Sequence, residues 1–264
     1  MVERKKIGLA LGSGGWRGLA HIGVLKVLLE NDIPIDYIAG ASAGALIGGM
    51  YDALQDIDEV EKIALNFGYR DFFSALFDPS KSSGLLRGEK VIEFLQEQIG
   101  NKNIEDLSIP FCAVTTNLYT GQTSPIMKGN LAAAIRASGS IPFIFEPVTH
   151  QGEYYVDGGT SMPVPVKIVR KMGADIVIGV NLYGDMFPQS MPASKKISSL
   201  TVAQMSHKLL LYNLSLNDVR LADVVITPKI PGADKDGLTK FIQNKEAIKY
   251  GSQAARKVLS DIKF

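Results

Sequence analysis

The chain has 264 residues, of which 46% are apolar and 21% charged, with a formal net charge of +1. That is enough apolar material for one sizeable core in a single domain over residues 1–264, and too little charge bias to recruit nucleic acid. Cys112 is the only cysteine, which excludes an internal disulfide, and no window approaches about 18 consecutive apolar residues, which argues against a membrane span.

The N-terminal Met-Val-Glu-Arg-Lys-Lys is basic, but the apolar run at 7–11 breaks at once into Gly-Ser-Gly-Gly, so no secretory leader is expected. A cytoplasmic protein, with peripheral contact at a membrane surface, fits these features. Residues 7–11 read as a buried strand. Residues 19–30 carry Leu19, Ile22, Leu25, Leu28 and Leu29 at helical spacing. A second strand is expected at 36–39 and a helix rich in small residues at 43–54. This βαβα order argues for a parallel sheet covered by helices. Amphipathic helices are expected at 58–67 and 88–99. Between them, residues 69–86 hold Phe72, Phe73 and Phe77 among Gly, Pro and Ser. That segment reads as an apolar loop tucked onto the core or as a lid.

Residues 111–115 read as a strand, and Cys112 within it as a core thiol whose apolar site suppresses the thiolate. A short helix at 131–137 is followed by a strand at 154–156 ending in Asp157-Gly158-Gly159. A helix at 164–172 closes on Gly173, a fitting C′ residue. Strands at 176–181 and 224–226 flank a long helix at 199–221, and an amphipathic helix at 245–262 completes the chain.

Gly40-Ala41-Ser42-Ala43-Gly44 matches G-x-S-x-G, with a strand before it and a helix after it. Flanking glycines let strand and helix approach closely and hold the serine in a sharp turn, while the helix N-terminus favours negative charge on its oxygen. The loop from Gly12 to Gly18 (Gly-Ser-Gly-Gly-Trp-Arg-Gly) also joins a strand to a helix, and its amides can converge on an anion. A dinucleotide site would need glycine at position 17, where Arg17 stands, and an acid at the end of the second strand. An oxyanion hole beside an exposed serine fits better. For the base, His207 is the one histidine that follows Asp157 in hydrolase order, whereas His21 and His150 suit structural and turn positions. Asp157, at a strand end before two glycines, is the stronger candidate, since partial desolvation raises a carboxylate's basicity.

Together, the loop 12–18, the turn around Ser42 and Asp157-Gly158-Gly159 resemble the patatin-like phospholipase family. Ala20-His21-Ile22-Gly23-Val24-Leu25 is similar to that family's first helix, and Thr116-Asn117-Leu118-Tyr119-Thr120-Gly121 to its strand-and-turn segment. Arg136-Ala137-Ser138-Gly139-Ser140-Ile141-Pro142 with Phe145-Glu146-Pro147-Val148 is similar to the segment leading to its aspartate. The resemblance implies an α/β fold, three-layer α/β/α with a mainly parallel central sheet. It implies a Ser–Asp dyad without histidine, metal or cofactor. The implied substrates are fatty acyl esters of phospholipids, lysophospholipids or glycolipids, reached by transient contact with a bilayer surface. On this basis Ser42 is the nucleophile and Asp157 the base. Gly14 and Gly15 are the oxyanion donors, Arg17 holds the family's basic position, and Gly12 and Ser13 belong to the same substrate-binding loop. Ser13 stands where a glycine often does. Phe143 and Phe145 join the three phenylalanines of 69–86 as candidate walls of an acyl pocket. Two rivals stand beside this reading: a Ser42–His207–Asp157 triad esterase, and a non-catalytic phosphate- or lipid-binding module built on the glycine loop.

Overall fold

The computed structural model describes residues 4–66, 78, 86–187, 198–232 and 245–260. In chain order the elements are β1 (Ile7–Leu11), α1 (Ala20–Glu30), β2 (Tyr37–Ala41), α2 (Ala43–Leu54), α3 (Ile57–Asn66), α4 (Glu89–Ile99), β3 (Phe111–Asn117), β4 (Thr123–Ile126), α5 (Leu131–Ser138), β5 (Val148–His150), β6 (Glu153–Asp157), α6 (Val166–Met172), β7 (Ile176–Val180), α7 (Ser199–Val219), β8 (Val224–Ile226) and α8 (Ala247–Leu259). The strands form one sheet in which hydrogen-bonded pairing runs β5 to β6, β6 to β3, β3 to β2, β2 to β1, β1 to β7 and β7 to β8, with β4 also pairing β3. The five strands from β3 to β8 in that order run parallel, and β4, β5 and β6 are antiparallel additions.

The continuous apolar runs of β1, β2, β3 and β7 follow from burial on both faces. Side chains alternate across the sheet. Ile7, Leu9 and Leu11 of β1 join α1, α2 and α8 in one core, while Ala10 joins Ala39, Ala41, Cys112 and Val114 against Val166 and Val169 of α6 in the other. A mostly parallel sheet with helices on both faces is the three-layer arrangement expected from the βαβα order.

Boundaries differ where prolines or glycines intervene. The helix expected from 164 starts at Val166, with Pro165 as its N-cap. The strand expected at 36–39 runs to Ala41, because the small, buried Gly40 and Ala41 continue the ladder to β1 and β3. β4 and β5 escaped the sequence reading because they are short and partly exposed, and carry no two-residue hydrophobic period. His150, expected in a hairpin turn, closes β5, and the turn itself is Gln151 and Gly152 at φ 51 and 79. Residues 69–77 and 79–85, with Phe72, Phe73 and Phe77, lie outside the described residues. No helix among the described residues is long and apolar enough to cross a membrane.

Candidate active site

The register of β3 explains how residues 115 positions apart in sequence meet. β4 and β6 both pair Thr115 and Thr116, so they occupy opposite edges of β3. β2 and β4 both pair Ala113 and Val114, so β2 lies on the same edge as β6. Along that edge β2 climbs to Ala41 opposite Val114, and β6 descends to Asp157 opposite Thr115. Two strand ends therefore meet head-on, and the residues that leave them are Ser42 and Asp157.

Ser42 sits at φ 53 and ψ −117 as the N-cap of α2. A non-glycine residue there is strained by about 1–3 kcal/mol and persists only where its surroundings over-determine it. They do so by contact: a Cβ on Gly40 would lie 2.3 Å from Ala45 N, and one on Gly44 would lie 2.0 Å from Leu11 O. The Ser42 N–H donates to Ser138 Oγ at 2.8 Å, and Ser138 Oγ donates to Val114 O at 2.6 Å. The Ser42 side chain is buried to 6% exposure beside the positive end of α2.

Asp157 is 7% exposed. Burial pushes its carboxyl up to about 6, against the opposing pull of hydrogen bonds from the Ser42 hydroxyl and the Gly159 N–H. The Gly159 bond to Oδ1 is 2.7 Å. The backbone of Asp157 is held at both ends, its N–H donating to Ser140 O at 3.1 Å and its carbonyl accepting from Thr116 Oγ1 at 3.0 Å.

The glycine loop lies between the serine turn and the acid turn. A Cβ on Gly18 would meet Ala43 Cβ at 2.4 Å, and one on Gly159 would meet Ser13 Oγ at 2.4 Å. Within the loop the residues divide. Gly12 N–H donates to Val180 O at 3.1 Å and Ser13 N–H to Pro163 O at 2.8 Å. Those two amides are committed to the scaffold, so Gly12 and Ser13 anchor the loop through their backbone. The N–H groups of Gly14 and Gly15 meet no acceptor among the described residues. Gly15 is at φ 57 with open space where its Cβ would stand, whereas Gly14 packs against Leu182.

Residues 9–170 match the family model for patatin-like phospholipase. The chain belongs to the patatin-like phospholipase family. An uncharacterized NTE family protein of Mycobacterium tuberculosis is 41% identical over 180 residues, 68% of this chain and 49% of that protein. A patatin-like phospholipase domain-containing protein of Caenorhabditis elegans is 34% identical over 181 residues, and a lysophospholipase of Neurospora crassa is 30% identical over 191. These matches cover 67% and 70% of this chain but 13% of either relative. The chain thus spans about half the length of the first relative and a small part of the other two. The crystal structure of VipD from Legionella pneumophila superposes with a TM-score of 0.52 over 98% of this chain and 67% of that one, at 13% identity, a likeness of fold.

In this patatin-like chain Arg17 is 4% exposed, and its guanidinium lies 5.0 Å from the centre of the Tyr183 ring. It is an inner buttress of the loop rather than a surface cation. His21 is fully buried, and its Nε2 donates to Gly12 O at 2.7 Å. Burial drives it down to about 4, so the ring is neutral. All three histidines are described, and none hydrogen-bonds Ser42 or Asp157. His207 lies in α7, its pKa lowered by burial. Phe145 stacks on the Arg136 guanidinium at 4.6 Å, and Phe143 is 67% exposed at φ 70. Cys112 is buried, and burial pushes its thiol up to about 12. Ser138 and Ser140 stand out in the sequence only as part of the segment that resembles the family's approach to its aspartate. Their contacts with Ser42 and Asp157 carry no local signal, because the partners are 96 and 17 residues away.

Proposed function

We propose that the chain is a serine lipid acyl hydrolase in which Ser42 is the nucleophile and Asp157 its only base. The observation that carries this reading is the meeting of a strained serine at a helix N-terminus with a buried carboxyl of raised basicity, on which the serine hydroxyl acts directly. Asp157 takes the Ser42 proton as Oγ attacks the ester carbonyl. The N–H groups of Gly14 and Gly15 receive the developing oxyanion. Collapse expels the alcohol, which takes its proton from Asp157. Water then gives its proton to Asp157, attacks the acyl carbon, and Ser42 leaves with the proton returned.

Fatty acyl esters of phospholipids and lysophospholipids are the substrate class, supported by family membership and by the lysophospholipase among the relatives. The enzyme meets them in transient contact with a bilayer surface. The continuous sheet supports residues 1–264 as one acyl hydrolase domain. The test is a panel of p-nitrophenyl esters and lysophospholipids offered to the wild type and Ser42→Ala. Turnover confined to the wild type is expected, and equal turnover by both proteins would overturn the assignment.

Two further outcomes separate this reading from its rivals. His207→Ala keeps kcat/KM within about threefold of wild type, because no hydrogen bond joins His207 to the pair; in a triad the loss reaches about 10⁴-fold or more. The pH dependence of kcat/KM places the acid limb near 6 rather than near the ordinary aspartate value of 3.8. The base works only ionised, so a raised pKa moves the loss of activity to higher pH. A limb below pH 5 on an ester stable across the range contradicts Asp157 as the base.

A further inference from the structure

The head-on meeting of β2 and β6 leaves a gap in the sheet. Ser42 N–H has passed the end of the ladder, since the next position on the β3 edge, Thr115, belongs to Asp157. Val114 O is left facing that gap, and the Gly158 backbone is packed so closely upon it that a Cβ there would lie 2.0 Å away. The Ser138 hydroxyl fills the gap, accepting from Ser42 N–H at 2.8 Å and donating to Val114 O at 2.6 Å, with no exposure to solvent. A hydroxyl alone among small side chains both donates and accepts strongly. Two residues on, Ser140 O takes the Asp157 N–H at 3.1 Å. The Ser140 side chain is in turn held by Arg136 Nη1 at 2.7 Å, and Arg136 is itself 3% exposed and bonded to the Glu146 carbonyl at 3.2 Å. One short segment at the end of α5 therefore grips the backbone N–H of both Ser42 and Asp157.

We propose that Ser138 is a positioning residue for the reaction: its hydroxyl replaces the missing rung between Ser42 and Val114 and sets the separation of nucleophile and base. This rests on the reading of Ser42 and Asp157 as a catalytic pair. Removing the hydroxyl frees Ser42 N–H to relax toward an unstrained turn and withdraws Oγ from the carboxyl. Displacements of about an ångström at a reacting centre cost about 10²-fold in rate.

The experiment compares wild type, Ser138→Ala and Ser138→Thr by kcat and KM on a p-nitrophenyl ester, fluorophosphonate labelling rate, thermal midpoint and pH profile. Ser138→Ala is expected to lose about 10²-fold in kcat and in labelling rate, with KM near wild type and a thermal midpoint lowered by a few degrees because two buried backbone groups lose their partner. Its acid limb moves above about 6, because the hydrogen bond from Ser42 that pulls Asp157 down is weakened. A merely structural role leaves that limb in place. Ser138→Thr, which keeps the hydroxyl, recovers most of the rate. Should Ser138→Ala not fold, Ser138→Cys takes its place, since a thiol is a poor acceptor of the same size. Labelling and kcat of Ser138→Ala within threefold of wild type, or an equal fall in the Thr variant, overturns the inference. Absence of Ser42 labelling in the wild type itself would instead overturn the catalytic pair.

Discussion

Asp157→Asn is expected to lower kcat/KM by about 10⁴-fold while making the protein more stable at neutral pH. The activity follows from chemistry, because an amide cannot take the Ser42 proton. The stability follows from burial. A carboxyl raised from its ordinary 3.8 to about 6 in the fold favours the neutral form. From pH 3.8 upward the unfolded chain releases that proton first, so stability falls as pH rises to about 6 and stays lower above it. The accumulated cost at pH 7 is at most about 3 kcal/mol. Asparagine removes the charge and keeps an oxygen for the Gly159 N–H, which now bonds Asp157 Oδ1 at 2.7 Å. The thermal midpoint should rise by several degrees at pH 7–8, and the gain should vanish when melting is repeated near pH 4. A variant that is inactive but destabilised at neutral pH, or whose gain is independent of pH, contradicts this account of Asp157.

Gly44→Ala is the second large expected effect. Its Cβ would stand 2.0 Å from Leu11 O and 2.9 Å from Gly12 O. Both are backbone atoms at the junction of β1 with the glycine loop, so no flexible side chain can move aside. The start of α2 must shift, carrying Ser42 away from Asp157 and disturbing the loop on its other flank. The expected result is a loss of kcat/KM of at least about 10²-fold, with destabilisation of about 1–3 kcal/mol from overpacking. Gly15→Ala is the matched control. Gly15 needs glycine for its φ of 57 and has open space around it. Alanine there costs about 1–2 kcal/mol of backbone strain and keeps the amide, so activity falls only severalfold. Equal damage in the two variants, measured as kcat/KM on one ester, contradicts the close-approach explanation.

The two glycines show which parts of this site were readable from sequence. β1 is the run Ile7–Leu11 expected from the apolar residues alone, because burial on both faces leaves an uninterrupted pattern. The turn around Ser42 and the acid at Asp157 were likewise legible, since each is a local strand-to-turn signal. What escaped depends on pairing. No local rule says that β6 enters on the β2 edge of β3, yet that choice joins Ser42 to Asp157 and makes Ser138 necessary. The separate fates of the loop amides escaped for the same reason: Val180 O and Pro163 O, which take the amides of Gly12 and Ser13, arrive from the far end of the chain. A basic residue at position 17 is compatible on sequence alone with holding the loop, meeting a lipid phosphate or forming a surface salt bridge, and its burial beside Tyr183 is a matter of tertiary packing that no local pattern carries.

Mass spectrometry of the protein after a fluorophosphonate pulse measures the central claim most directly, by mapping the modified residue and timing its appearance. One adduct per chain on Ser42 is expected, formed at near-wild-type rate in His207→Ala, far more slowly in Asp157→Asn, and not at all in Ser42→Ala. An adduct on another residue, or labelling that survives Asp157→Asn and is lost in His207→Ala, would contradict a serine activated by that carboxylate alone.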